Sequence, residues 1–120
     1  MFSSIALEHI ARPRSAGPLE NATHHGVSGR PGEGPYVQLW LRVEGDAIRE
    51  ASYETYGCPA AVACASLTAE ILRGRTVAQA LSITAADLML IVGGLPPGKE
   101  ECAALSASAA LNALEGERTE

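Results

Sequence analysis

The stretch that decides the fold is Tyr53-Glu54-Thr55-Tyr56-Gly57-Cys58-Pro59-Ala60-Ala61. These residues predict a strand that ends at a glycine and is followed directly by a helix. Pro59 suits a first helical turn, where its missing N–H costs no hydrogen bond. Cys58 therefore lies at a helix N-terminus, where unpaired amides and the helix dipole favour a thiolate. We interpret Cys58 as a candidate nucleophile or metal ligand; the alternative is a small buried hydrophobe.

A β-hairpin precedes this corner. Apolar and polar residues alternate from Tyr36 to Glu44, which is typical of a half-buried strand. Glu44-Gly45-Asp46 predicts a turn into a second strand that ends at Tyr56, so the two strands form an antiparallel pair. Residues 4–11 predict a short helix before them.

Residues 12–35 are rich in glycine and proline, and we predict that they form a flexible arm. The arm contains Glu33 and the adjacent histidines His24 and His25. Both histidines could reach a thiol, but their spacing matches no zinc template, and adjacent histidines in a loop are more often solvated.

Everything after Cys58 is predicted to be helical. The helices cover residues 59–73, 76–81, 84–92 and 99–114, and the polar tail 115–120 is predicted to fray. Thr76 and Thr84 are the predicted N-caps of the two short helices. The order of elements predicts an α+β fold: a small antiparallel sheet of two to three strands with helices on one face, in a single domain over residues 1–120.

Charge and hydropathy exclude several classes of protein. The 120 residues carry a formal charge of −5 with no basic run, which argues against binding to nucleic acid or to a membrane surface. No apolar run approaches the roughly 20 residues that span a bilayer, and the N-terminus lacks a signal-peptide pattern. We expect a cytoplasmic protein. Phosphate-binding loops and the Gly-x-Ser-x-Gly turn of hydrolases are also missing from the sequence.

The three cysteines have different surroundings. Cys102 follows Pro96-Pro97-Gly98-Lys99-Glu100-Glu101, near the start of the last helix, and resembles Cys58 in that respect; the alternative is packing against the sheet. Cys64 lies on the apolar stripe of its helix, about 120° around the axis from Cys58. We expect Cys64 to be a core residue.

The sequence resembles the NifU-like or IscU-like family of iron-sulfur cluster scaffolds. Four elements carry the resemblance in order and spacing: His9 to Gly17, Tyr53 to Ala63, Gly74-Arg75-Thr76 and Leu95-Pro96-Pro97-Gly98-Lys99-x-x-Cys102. The resemblance implies a scaffold, not itself an enzyme, that receives sulfur from a cysteine desulfurase, assembles a [2Fe-2S] cluster and delivers it to apo iron-sulfur proteins. It also implies that zinc can occupy the same pocket. Leu95, Pro96, Pro97 and Lys99 match a motif that engages an Hsp70-type chaperone.

The chain departs from the family pattern at the metal site. Cys58 and Cys102 match the second and third family cysteines, but the first falls near Glu33, so that thiol is missing. Pro35 occupies the position of the family aspartate, and Glu101 the position of a histidine. Two thiolates and two carboxylates suit a single Zn²⁺ or Fe²⁺ better than a cluster. The expected metal ligands are Cys58, Cys102, Glu33 and Glu101.

Three hypotheses remain open at this point. The first is a divergent scaffold that binds iron, zinc or a [2Fe-2S] cluster, the cluster being bridged between two protomers of a homodimer so that four cysteines hold it. The second is a sulfur carrier that accepts a persulfide from a desulfurase. The third is an adaptor that keeps the fold and binds partners without metal.

Overall fold

The computed structural model describes residues 3–11, 17–30 and 32–115. The elements are α1 (Ser4–Ala11), β1 (His24–Gly29), β2 (Tyr36–Glu44), β3 (Ala47–Tyr56), α2 (Pro59–Leu72), α3 (Val77–Leu81), α4 (Ala85–Val92) and α5 (Glu100–Glu115). The strands form one antiparallel sheet in the order β1-β2-β3, and α2 and α5 pack on it. The predicted α+β fold is confirmed. None of the helices in the described ranges is long and apolar enough to cross a membrane.

The core lies between the inner face of the sheet and helices α2 and α5. β2 and β3 supply its large side chains, whereas the helices supply mostly alanines. Small side chains let a helix approach a sheet closely, so bulky residues on one side are matched by alanines on the other. The residues of this cluster are Val37, Leu39, Leu41, Val43, Ile48, Ala51, Tyr53, Ala65, Ala69, Leu72, Ala80, Ala109, Ala110 and Ala113.

Strand β1 corrects the prediction of a flexible arm over residues 12–35. Residues 24–29 pair with β2 along their whole length, with Gly26 opposite Leu39. Gly26 also lies against the backbone of α5 at Ala109 and Ala113, where a Cβ atom would overlap main-chain atoms. The segment contains two glycines and a single aliphatic residue, Val27, so it lacks the alternation that predicts a strand. Residues 12–16 and residue 31 lie outside the described ranges.

The helix boundaries agree with their capping signals. Thr76 and Thr84 each form a capping box with the residue three positions later, as their N-cap assignment predicted. Gly93 ends α4 in the left-handed conformation, with φ of 84°. The last helix continues through Glu115, which was predicted to belong to the frayed tail, and residues 116–120 lie outside the described part of the chain.

Helix α1 is fixed to α2 through a buried histidine. The His9 side chain is 4% exposed; its Nδ1 lies 2.8 Å from Ser66 Oγ and its Nε2 lies 3.3 Å from the Glu70 carboxylate. The family resemblance includes His9, but the sequence offered no partner for it. Its partners lie on another helix, 57 and 61 positions away.

Candidate functional site

Cys58 lies between the end of β3 and the start of α2. It is the N-cap residue of α2, in an extended conformation with φ of −81° and ψ of 174°, and Pro59 begins the helix. The sulfur makes no capping hydrogen bond of ordinary geometry. The backbone N–H groups of Ala61 and Ala60 nevertheless lie near enough to stabilise its thiolate. The strand end, the proline and the free amides together put a partly exposed sulfur at the positive end of a helix.

Cys102 approaches Cys58 from the opposite helix. The turn before α5 is closed by hydrogen bonds from Lys99 N to Pro96 O, at 3.1 Å, and from Cys102 N to Lys99 O, at 3.0 Å. These bonds hold the first turn of α5 beside the start of α2. The two sulfur atoms are 3.9 Å apart. Two thiols 44 positions apart in sequence therefore form one pair.

The pair lines a cleft of about 230 Å³ at the surface of the protein. Cys58 is partly exposed, and Cys102 is 8% exposed. The other residues around the cleft include two charged side chains and several small or apolar ones. They are Pro35, Gly98, Lys99, Glu101 and Leu105.

The two thiols differ in acidity. Partial burial is the largest influence on Cys58 and would raise its pKa, but the amides of Ala61 and Ala60, the Cys102 thiol and the charge of Lys99 together hold that pKa below its ordinary value. Burial, followed by the charge and hydrogen bond of Cys58, raises the pKa of Cys102 to about 11. At neutral pH, Cys102 is therefore the protonated donor beside a more acidic Cys58.

The two predicted carboxylate ligands lie in different places. Glu101 lines the cleft with both thiols. Glu33 does not; it sits on the exposed turn after β1, where its carboxylate lies 3.6 Å from the Arg30 guanidinium. Within the described ranges, no group of three or more histidine, cysteine, aspartate or glutamate side chains is close enough to hold a metal ion. The structure thus brings together Cys58, Cys102 and Glu101, and leaves Glu33 outside.

The remaining cysteine and the arm histidines do not line the cleft. Cys64 is 1% exposed inside the cluster between α2, α4 and α5, and burial raises its pKa to about 12. Its expected role in the core is confirmed. His25 stacks on Trp40, with ring centroids 5.1 Å apart, and its Nε2 lies 2.9 Å from Gln38 Oε1. His24 Nδ1 lies 2.8 Å from the Thr23 hydroxyl.

The predicted partner-binding turn, Leu95 to Lys99, borders the site. Leu95 is partly buried against two apolar clusters, while Pro97 is exposed. Lys99 faces the thiol pair and favours the Cys58 thiolate, a role that we did not predict from the sequence. Its position just before the predicted helix, three residues ahead of Cys102, was the available signal, because the first helical turn brings such residues close together.

The sequence is similar to those of known proteins. Residues 1–117 match the family described as NifU-like N terminal domain. The chain is 33% identical over 114 residues to iron-sulfur cluster assembly scaffold protein IscU 1 of Archaeoglobus fulgidus, a match that covers 95% of this chain and 74% of the relative. It is 34% identical over 103 residues to the scaffold protein IscU of Aquifex aeolicus, covering 84% of this chain and 66% of the relative.

A solved structure supports the same fold. The crystal structure of a SufU protein from Fervidobacterium islandicum AW-1, described as a scaffold for the SUF system, superimposes with a TM-score of 0.73. The superposition covers 94% of this chain and 96% of that protein, at 21% sequence identity. At that identity the likeness establishes the architecture alone.

Proposed function

Because the chain belongs to the family of NifU-like N-terminal domains, which includes the IscU scaffold proteins, we propose that it acts in iron-sulfur cluster assembly by holding cargo on Cys58 and Cys102. In this role the protein is a scaffold and not an enzyme. The observation that carries the proposal is the distance of 3.9 Å between the two sulfur atoms, in a cleft open at the surface.

That distance fits two thiolates on one tetrahedral metal ion. With metal–sulfur bonds of about 2.3 Å, two sulfurs on one ion are about 3.8 Å apart. The pair can therefore bind a single Fe²⁺ or Zn²⁺ after small movements, and Glu101 is the carboxylate that lines the same cleft. Glu33 remains a proposed ligand, and it would join only if the exposed turn that carries it moved toward the cleft.

One chain does not fit a whole [2Fe-2S] cluster. Such clusters are held by four cysteines or by cysteines with histidines, whereas two thiols line this cleft. Cys64 belongs to the apolar cluster behind them, but it is 1% exposed and does not line the cleft. We therefore propose that a [2Fe-2S] cargo, where it forms, is shared by two copies of the chain, each contributing Cys58 and Cys102.

The same proposal includes a cysteine desulfurase as sulfur source, apo iron-sulfur proteins as recipients, and an Hsp70-type chaperone at Leu95, Pro96, Pro97 and Lys99.

The metal content of the reconstituted protein tests this proposal. Anaerobic incubation with iron and sulfide, followed by desalting, should leave iron bound to wild type and to Cys64→Ser, but not to Cys58→Ser or Cys102→Ser. A coloured product with one cluster per two chains would support the shared form. Loss of metal only in Cys64→Ser would refute the assignment, and a metal-free wild type would favour an adaptor that has lost the chemistry.

The unequal acidity of the pair favours a second candidate, a persulfide carrier. The Cys58 thiolate would attack the outer sulfur of a persulfide on the desulfurase, so that a new S–S bond forms on Cys58 as the old one breaks. The desulfurase cysteine leaves as a thiolate, and no external oxidant or reductant is needed. Cys102, which keeps its proton, can donate a hydrogen bond to the transferred sulfur.

Mass spectrometry separates the two candidates. Metal-free protein incubated with desulfurase and cysteine should gain the mass of one sulfur atom on Cys58 if the carrier function is correct. The adduct should disappear after reduction and in Cys58→Ser. Metal binding without an adduct supports the scaffold alone, and the absence of both supports the adaptor.

A further inference from the structure

The two thiols of the cleft lie close enough to react with each other. The Sγ atoms of Cys58 and Cys102 are 3.9 Å apart, and the two sulfurs of a disulfide are about 2.0 Å apart. Closing that gap moves each sulfur by about 1 Å, which small rotations about the two Cα–Cβ bonds supply. A covalent bond between the two residues is therefore within reach of side-chain movement.

Exposure gives the two thiols different roles toward an oxidant. Cys58 is partly exposed, lines the cleft and lies at the start of α2, and such surroundings favour oxidation of a cysteine. Cys102 lines the same cleft but is only 8% exposed. A small oxidant such as hydrogen peroxide therefore meets the Cys58 sulfur first, with the Cys102 thiol beside it.

The third cysteine is the competing partner for such a bond. Cys64 belongs to the same apolar cluster as Cys102. It is 1% exposed, however, and it does not line the cleft. A peroxide molecule in the cleft is in contact with the pair and not with Cys64, so Cys64 provides a matched control within the same helix.

We propose that Cys58 and Cys102 form an intramolecular disulfide when hydrogen peroxide oxidises the metal-free protein, and that this bond closes the site to metal. In the first step the Cys58 thiolate attacks one oxygen of the peroxide. The O–O bond breaks, Cys58 becomes a sulfenic acid and hydroxide leaves.

The second step forms the disulfide. The Cys102 sulfur displaces the hydroxyl group from the Cys58 sulfur, and that group leaves as water with the proton of the Cys102 thiol. The sulfenic acid is neutral, so the negative charge of Cys58 no longer opposes a developing charge on Cys102. The two cysteines together lose two electrons, which the peroxide gains.

This inference rests on the proposed function, because it concerns the same two sulfur atoms. A cysteine binds a metal ion as a thiolate, and a disulfide contains none. Oxidation therefore removes both proposed thiolate ligands at once, whereas a dithiol reductant restores them by exchange. The site would accept metal only in its reduced state.

Peptide mass spectrometry of the oxidised full chain tests the proposal. The chain is freed of metal with a chelator, treated with an equimolar amount of hydrogen peroxide, alkylated and digested without reduction. We expect one linked pair of peptides from a single chain, lighter by two hydrogen atoms than the two free peptides, with the bond between Cys58 and Cys102. Cys64→Ser should give the same product. A bond to Cys64, a bond between two chains, or three free thiols would overturn the proposal.

Two further variants test the order of the steps. Cys102→Ser should keep the sulfenic acid on Cys58, where dimedone traps it, because no second thiol displaces the hydroxyl group. Cys58→Ser should be oxidised at Cys102 at least about tenfold more slowly than wild type is oxidised at Cys58, since Cys102 is less exposed. Equal trapping in Cys102→Ser and wild type, or equal rates in Cys58→Ser and wild type, would contradict the assigned roles.

Cobalt binding distinguishes failure of this inference from failure of the proposed function. Reduced wild type should bind Co²⁺, the oxidised chain should not, and dithiothreitol should restore binding. If the disulfide forms but the reduced chain binds no Co²⁺, the disulfide is supported and the metal-binding function is refuted. If the oxidised and reduced chains bind Co²⁺ equally well, the closure of the site by oxidation is refuted and the metal-binding function stands.

Discussion

Helix α2 contains two cysteines with opposite properties, at its N-cap and in its second turn. Cys58 is partly exposed and its pKa is held below the ordinary thiol value, although its partial burial acts in the opposite direction. Cys64 is 1% exposed, and burial raises its pKa to about 12. The residue type and the helix are the same. What differs is exposure to solvent and access to free amides and to a lysine.

The comparison shows that the position in the helix determines the chemistry of each cysteine. At the helix start, the amide groups have no internal partner and can stabilise a charge. One and a half turns later, every amide is bonded within the helix and the side chain is surrounded by apolar groups. A thiol there is a packing residue, so two cysteines only six positions apart belong to the site and to the core respectively.

The largest expected difference between Cys58 and Cys64 is in the rate of alkylation. A pKa of about 12 leaves only about one Cys64 thiol in ten thousand ionised at pH 8, and burial restricts access further. Iodoacetamide should therefore modify Cys58 at least a thousandfold faster than Cys64 in the folded protein, as peptide mass spectrometry would measure. In urea the two rates should converge. Comparable rates in the folded protein would contradict the comparison.

The same substitution should have opposite effects on stability at the two positions. Cys64→Ser places a hydroxyl in an apolar cluster and should lower the free energy of unfolding by about 1–3 kcal/mol. Cys58→Ser introduces a favoured N-cap residue and should be neutral or stabilising by up to about 1 kcal/mol. Urea unfolding of both variants measures the difference. A Cys58→Ser variant less stable than Cys64→Ser would reverse our assignment of site and core.

The contribution of Cys64 to stability should depend on pH. Because its folded pKa is raised, the folded state keeps a proton that the unfolded state loses above about pH 8.5, so stability falls as pH rises. The loss should be about 1.4 kcal/mol per pH unit until the folded pKa of about 12 is reached. Relative to Cys64→Ala, wild type should therefore lose stability between pH 9 and pH 11 in urea titrations. A pH-independent difference would show that Cys64 ionises freely in the folded state.

The smallest effect is expected from Lys99. Its charge is the last of the influences that lower the pKa of Cys58, after the amides of Ala61 and Ala60 and the Cys102 thiol. Lys99→Gln should shift the alkylation profile of Cys58 to higher pH. Arg30→Gln, which removes a charge from an exposed turn, should leave the profile in place. A shift to lower pH in Lys99→Gln would contradict the proposed electrostatic role.

The sequence predicted the elements whose signals are local. Alternation marked β2, the glycine-cysteine-proline corner marked the start of α2, and threonine caps marked α3 and α4. Strand β1 was missed because its own residues lack the apolar alternation that predicts a strand. It forms because it pairs with β2 and because Gly26 lies against α5. Long-range contacts of this kind leave no local pattern.

The site was only partly predictable, because some of its properties also depend on long-range contacts. Helix-start geometry indicated Cys58 and Cys102 separately, and the family resemblance implied that they share a pocket. Their separation, their unequal acidity and the part played by Lys99 depend on how α5 packs beside α2. Glu33 was assigned by its position along the family pattern, which does not determine where an exposed turn lies in space.

Cobalt binding tests most directly whether Cys58 and Cys102 act as a pair on one ion, because thiolate ligands give Co²⁺ a charge-transfer band whose intensity follows their number. Anaerobic titration should give this band in wild type and in Cys64→Ser. In Cys58→Ser and in Cys102→Ser, its intensity per bound ion should fall by half or more. An unchanged band in both of these variants, or a band lost only in Cys64→Ser, would contradict the account.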